Sequence, residues 1–195
     1  LHTIKYPDSI TKGIATDISV LKSSSTLRQG DVYNLNNFDN ERSRIDRILK
    51  DKGYFYFKPD YLLFKADTAI GDRKINTWLN VKPGIPAEAS VSFKLNKIYV
   101  FDDFSLSNYS PDTVKIGNYF YVSENHQFKP NTILDAVFLE KDSLYSRTNH
   151  YNTLRQLMGI GVYKYANARF KPDDSIADLM NVNLFLTPVR KISLS

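Results

Sequence analysis

One segment of this chain occurs twice, and the spacing of the copies limits the folds open to it. Arg47-Ile48-Leu49-Lys50-Asp51-Lys52-Gly53-Tyr54-Phe55 has a counterpart in Arg155-Gln156-Leu157-Met158-Gly159-Ile160-Gly161-Val162-Tyr163. In each copy a run with helical spacing meets a glycine and continues into aromatic, strand-forming residues. A later strand-like run closes on proline each time, at Pro83 and Pro188. Gly161 lies 108 residues after Gly53, and Pro188 lies 105 after Pro83. A repeat at nearly domain length implies two copies of one small fold in tandem. Each copy would have roughly 90 to 100 residues, near the lower comfortable size for an independent core.

Composition supports two packed cores. Hydrophobic residues make up 42% of the chain and aromatic residues 13%, which argues against disorder. The longest apolar runs, such as Tyr54-Phe55-Tyr56-Phe57, are far too short to cross a bilayer as a helix. The net charge is +5, but its cations are scattered, so no nucleic-acid stripe is expected. There is no cysteine, hence no disulfide frame, thiol nucleophile or thiolate metal ligand. The chain starts at Leu1 without a signal peptide and reads as a segment of a longer protein.

The first unit is expected over residues 1–86. It opens on a short strand, His2 to Tyr6, and a helix carrying Ile14, Ile18 and Leu21. The turn Gly30-Asp31-Val32-Tyr33 leads to Asn34, a helix N-cap. Leu35, Phe38, Ile45 and Leu49 then share one helix face, and Gly53 ends that helix in a left-handed conformation. Tyr54 to Asp67 reads as a strand interrupted by Pro59. After a Gly71-Asp72 turn, Lys74 to Val81 reads as its antiparallel partner. Pro83-Gly84-Ile85-Pro86 is the best linker in the chain.

The second unit is expected over residues 87–195. Val91 to Phe101 is the clearest strand, with alternating apolar positions. An insertion at about 102–129 has no counterpart in the first unit. Within it, Val114-Lys115-Ile116 and Tyr119-Phe120-Tyr121-Val122 flank Gly117-Asn118 as a hairpin. A helix carrying Ile133, Ala136 and Val137 follows, and then a helix capped by Ser146. Strands at Val162 to Lys171 and Val182 to Arg190 complete the unit. Both units thus read β-α-α-β-β, an α+β fold in which a three-stranded mixed sheet carries helices on one face.

This doubled order resembles the POTRA domain of BamA/TamA-like outer-membrane assembly proteins. The resemblance covers nearly the whole chain. It rests on Gly30-Asp31-Val32-Tyr33, Leu49 to Phe55, Phe138 to Ser146 and Leu157 to Tyr163, and on the ending Phe185-Leu186-Thr187-Pro188-Val189-Arg190-Lys191. The insertion departs from the short form of the domain and looks like the longer variants of Bacteroidetes surface antigens. The resemblance implies a non-enzymatic region on the periplasmic side of the outer membrane. Its implied partners are unfolded outer-membrane proteins, accessory assembly lipoproteins and a β-barrel C-terminal in the same chain. A basic chain can also attract anionic lipid headgroups. The alternative is the POTRA pair of a two-partner secretion pore, which binds one dedicated client.

Physically, a small sheet with open edges can accept another chain as an added strand. The candidate edge is Val162, Tyr163, Lys164, Tyr165, Ala166, Asn167, Ala168, Arg169 and Phe170. Its alternation puts Tyr163, Tyr165, Asn167 and Arg169 on one face. Tyr54 to Phe64 would be its equivalent in the first unit. Tyr109, Tyr119 and Tyr121 are candidate exposed contacts of the insertion.

No catalytic, cofactor or metal reading competes. His2, His126 and His150 are far apart. Gly159-Ile160-Gly161 begins a dinucleotide fingerprint, but Lys164 stands where the third glycine belongs. Asp102-Asp103 and Asp173-Asp174 have no neighbouring base or nucleophile and read as turn acids. Asp followed by Ser or Thr and an aliphatic occurs at Asp8, Asp67, Asp112, Asp142 and Asp174. All five read as turns; the pattern also resembles the periplasmic O-glycan acceptor of Bacteroidetes.

Overall fold

The fold is that of a computed structural model, which describes residues 1–7, 13–105 and 110–189. The chain divides into two compact units, Leu1–Ser92 and Phe93–Ser195. Pro83 to Pro86 and the 3₁₀ turn Ala87–Ser90 fall in the first. Ala89 is fully buried, and Ser92 Oγ donates to the Lys52 carbonyl at 2.6 Å.

In the first unit, β1 (Thr3–Lys5), α1 (Ile14–Val20), α2 (Leu35–Asp51), β2 (Leu62–Asp67) and β3 (Asn76–Val81) form an α+β layer. The sheet order is β1-β3-β2, with β3 parallel to β1 and antiparallel to β2. Ile14 and Ile18 of α1 and Ile45 and Leu49 of α2 meet Leu62 and Leu79 of the sheet in one core. Asn34 caps α2, its side chain accepting from the Asn36 N–H at 2.9 Å. Gly53, with φ of 95°, ends it, and the Tyr54 N–H returns to the Leu49 carbonyl at 3.1 Å.

Two expectations for this unit need correction. Leu35 does not share the buried face: it is exposed, and the positions facing inward include Glu41 and Arg44. Residues 54–61 are not a strand. Turn hydrogen bonds from Phe55 to Gly53 and from Phe57 to Tyr54, then the 3₁₀ turn Pro59–Tyr61, fold this run back on itself. Tyr54 and Phe57 enter the core, and the Tyr54 hydroxyl donates to Asp17 at 2.6 Å. The aromatic run is a plug, so the strand equivalent to the candidate edge begins only at Leu62.

The second unit contains β4 (Lys94–Phe101), β5 (Asp112–Ile116), β6 (Tyr119–Ser123), α3 (Pro130–Leu134), α4 (Arg147–Gly159), β7 (Tyr163–Pro172) and β8 (Leu179–Pro188). β4, β8 and β7 repeat the pairings of β1, β3 and β2: parallel between the first two, antiparallel between the last two. The sheet has five strands, however, in the order β5-β6-β4-β8-β7. The three-stranded expectation therefore holds for the first unit only. The insertion extends the second sheet, because β6 pairs parallel with β4 from Ile98 to Phe101. The start of β4 is covered on its own by the segment around Leu144, where the Leu95 N–H reaches the Ser143 carbonyl at 2.8 Å. Leu95, Ile98, Val100, Met180, Val182 and Leu184 face the core, which also takes Ile133 of α3 and Leu157 of α4.

Candidate functional site

β7 is the outermost strand of its sheet, with β8 on one side and, among the described residues, no strand on the other. Gly161, at φ of 81°, turns the chain from α4 into this strand, where an added Cβ would meet no neighbour within 4 Å. In an antiparallel ladder alternate residues aim their N–H and C=O away from the partner, so β7 presents such groups along its outer side. The strand continues to Pro172, past the expected candidate Phe170.

The expected faces of β7 are altered by a bulge. Tyr163 pairs with Pro188 and Tyr165 with Thr187, so Lys164 is an extra residue between neighbouring pairs. Tyr163 is thereby separated from Tyr165: it is 3% exposed, whereas Tyr165 is 61% exposed. Beyond the bulge, Tyr165, Asn167, Arg169 and Lys171 are exposed, and Ala166, Ala168 and Phe170 are half-buried. Phe170 meets Tyr145 edge-on at 5.1 Å and His150 of α4 at 4.8 Å, which locates the helix side of the sheet. Burial holds the His150 imidazole below its ordinary value.

The opposite face of this sheet is aromatic. One row across all five strands runs Lys115, Phe120, Tyr99, Asn183, Arg169. The next runs Thr113, Val122, Phe101, Phe185, Asn167. Tyr99 stacks on Phe120 at 4.7 Å, Phe101 on Phe185 at 4.8 Å, and Phe104 tilts against Phe185 at 4.7 Å. These are offset-stack distances. All five rings are half-buried rather than sealed. The Arg169 guanidinium lies 5.3 Å from the Phe185 ring centroid.

The candidate contacts of the insertion are placed differently from expectation. Tyr121 points into the core, is 2% exposed, and donates its hydroxyl to Asp102, so it offers no surface contact. Tyr119 is half-buried and donates to the Leu139 carbonyl at 3.0 Å. Tyr109 lies outside the described residues. Neither Asp102 nor Asp103 is a simple turn acid; both are buried. Asp103 accepts from the Glu124 and Asn125 N–H groups at 3.0 and 2.6 Å and anchors the end of β6. Burial pushes the Asp102 carboxyl up, the Asp103 charge adds to this, and hydrogen bonds from Tyr121 and Ser123 offset it only in part. Burial also raises Tyr121 and Tyr163 above the ordinary phenol value.

Of the five Asp-Ser/Thr sites, Asp8 lies outside the described residues. Asp67, Asp142 and Asp174 are in or beside turns and bends, while Asp112 to Val114 belongs to β5, a correction to the uniform turn reading.

No family model matches the sequence, and no curated protein matches it. Solved structures do. BamA from Haemophilus ducreyi lacking POTRA domains 1–3 superposes with a TM-score of 0.62 at 12% identity, over 96% of this chain and 30% of that one. POTRA1–3 of Omp85 from Anabaena gives a TM-score of 0.42 at 12% identity, over 97% of this chain and 65% of that one. CdiB from Acinetobacter baumannii gives 0.38 at 13% identity, over 98% and 30%. This chain therefore spans under a third of the length of the BamA chain it matches. The likeness to that chain, with the β-α-α-β-β order in the first unit and the same order interrupted by the β5/β6 hairpin in the second, shows a POTRA fold. Among the described residues, no helix is long and apolar enough to cross a membrane.

Proposed function

We propose that this chain is the periplasmic POTRA region of an outer-membrane β-barrel assembly protein, with its barrel in the same polypeptide. It receives unfolded outer-membrane proteins, and accessory assembly lipoproteins dock on it. It acts by binding, not by catalysis. The observation that carries this reading is the position of β7: a ten-residue strand at the end of a sheet, launched by Gly161. Main-chain hydrogen bonds ignore side-chain identity, which suits a strand that pairs with clients of many sequences. The first-unit counterpart β2 is shorter, at six residues, and offers a shorter edge.

Proline tests the edge. Ala166→Pro and Asn167→Pro change adjacent residues, one of which directs its N–H toward β8 and the other away. The outward one keeps the fold and its melting temperature. We expect that variant to lose binding to a urea-denatured outer-membrane barrel protein diluted into buffer. Unchanged binding by the folded variant would remove β7 as the docking edge.

A further inference from the structure

We infer that the helix-free face of the second sheet is a second docking surface, which reads side chains, and that it takes an extended polypeptide segment carrying carboxylates on either side of an aromatic or aliphatic centre. This rests on the reading that the unit receives polypeptide, but it concerns the sheet face and not the strand edge. Three observations carry it.

The first is the continuous aromatic band. Phe120 stacks on Tyr99, Tyr99 on Phe101 at 6.4 Å, and Phe101 on Phe185, so the rings run from β6 across β4 to β8. Each ring is half-buried, leaving apolar area for a partner to cover.

The second is the placement of charge. The central row ends on a cation at both edges of the sheet, Lys115 on β5 and Arg169 on β7. Both side chains are exposed, and among the described residues neither forms a salt bridge. Neither aromatic row contains a carboxylate. The face thus offers two cations around an apolar middle, and its complement is two anions around an apolar middle.

The third is length. Four strand spacings separate Lys115 from Arg169, about 19 Å at ~4.8 Å each. An extended peptide covers that distance in about six residues. The geometry sets both the residue types and their separation. It favours a peptide over a lipid surface, because a bilayer has no fixed spacing between its charges.

The probe is a fluorescein-labelled peptide, Gly-Asp-Ser-Phe-Ser-Phe-Ser-Asp-Gly, whose two Asp and two Phe share one face when extended, titrated with the whole chain and followed by anisotropy at low salt. Two controls replace both Asp by Lys, or both Phe by Ser. The acidic aromatic peptide should bind at least tenfold more tightly than either control. The double variant Lys115→Glu/Arg169→Glu should lose at least tenfold for the acidic peptide and gain affinity for the Lys peptide. Lys115→Glu alone should weaken binding several-fold; it lies on β5, at the far edge from β7, so a loss there cannot come from strand pairing at β7. The edge proline variant that keeps its fold should still bind this peptide. Lys115→Gln/Arg169→Gln, with an unchanged melting temperature, guards against misfolding. Equal binding of all three peptides, or no saturable binding, would overturn the inference. Binding of phosphatidylglycerol vesicles that the charge reversals abolish, with no peptide binding, would overturn it in favour of a membrane surface.

Discussion

Glu41 shows how much of the first unit hangs on one buried charge. Its carboxylate accepts the Tyr6 hydroxyl, the Thr26 N–H at 3.1 Å and hydroxyl at 2.9 Å, and the Arg44 guanidinium at 2.9 and 2.6 Å. Arg44 also reaches the Leu21 carbonyl at 3.0 Å and Ser24 at 2.8 Å. The pair thereby ties α2 to the residue after β1 and to the turn after α1. Burial pushes Glu41 up, but the bonds from Arg44, Tyr6 and Thr26 together outweigh it and hold the carboxyl at about 2. The folded value lies below the ordinary 4.5, so the stabilisation is present above pH 4.5 and is lost as pH falls toward 2. It amounts to roughly 3 kcal/mol. Acid unfolding followed by Trp78 fluorescence should show this loss between those values. Glu41→Ala should destabilise the unit by about 3–5 kcal/mol at pH 7, because Arg44 is left buried and unpaired. None of this was legible in the sequence, where Glu41 and Arg44 sit in a run of charged residues that reads as a solvated helix face. The signal that could have found them was position: Glu41 lies three residues after Phe38 and four before Ile45, on the face those residues define, and Arg44 follows it at i+3.

At the scale of elements, most of what was legible came from local chemistry. Asn34 and Ser146 cap their helices, Gly53 and Gly161 end them, and Gly117-Asn118 closes the β5/β6 hairpin, because each turn demands a residue type that its neighbours cannot supply. The errors came where tertiary context decided. Tyr54 to Tyr61 has strand-type residues, yet burial of Tyr54 and Phe57 outweighs that preference. The bulge at Lys164 leaves no signature in an alternating sequence, and it moves Tyr163 to the other face. Hairpin β5/β6 could be read, but its parallel pairing with β4 is a long-range choice that no local residue announces. The join between β6 and β4 gives a prediction. Asp102 ends next to β4 and its carboxyl is raised, so the fold favours its neutral form. The associated stability is present below the ordinary value of 3.8 and lost as pH rises through the folded value. Asp102→Asn keeps an acceptor for Tyr121 without the charge. Its melting temperature should exceed that of the parent at pH 7, and the difference should shrink to nothing by pH 3. A variant less stable than the parent at both pH values would show that the carboxylate itself holds the join.

At the scale of the whole chain, the twofold occurrence of a helix-glycine-aromatic segment carried the architecture. Its counterparts in the structure are the shared pairings β1-β3-β2 and β4-β8-β7, each with one parallel and one antiparallel contact. The repeated segment is not itself a site; each glycine ends a helix, and only in the second unit does it lead directly into the edge strand. The candidate strand could be located in the sequence because the second repeated glycine, Gly161, launches it; that it lies outermost is set by the sheet order. The aromatic face could not, since its rings come from β4, β6 and β8, which are remote in sequence and meet only through the five-stranded register. Each unit has its own core, so each should fold without the other. A fragment of residues 1–92 should unfold cooperatively by circular dichroism. A fragment ending at residue 86 should be less stable by about 1 kcal/mol, from the lost Ser92 hydrogen bond to the Lys52 carbonyl. Equal stability of the two fragments would show that residues 87–92 contribute nothing to the first core and that its boundary lies at the prolines. A fragment of residues 93–195 that unfolds without a cooperative transition would show that the five-stranded sheet depends on the unit before it.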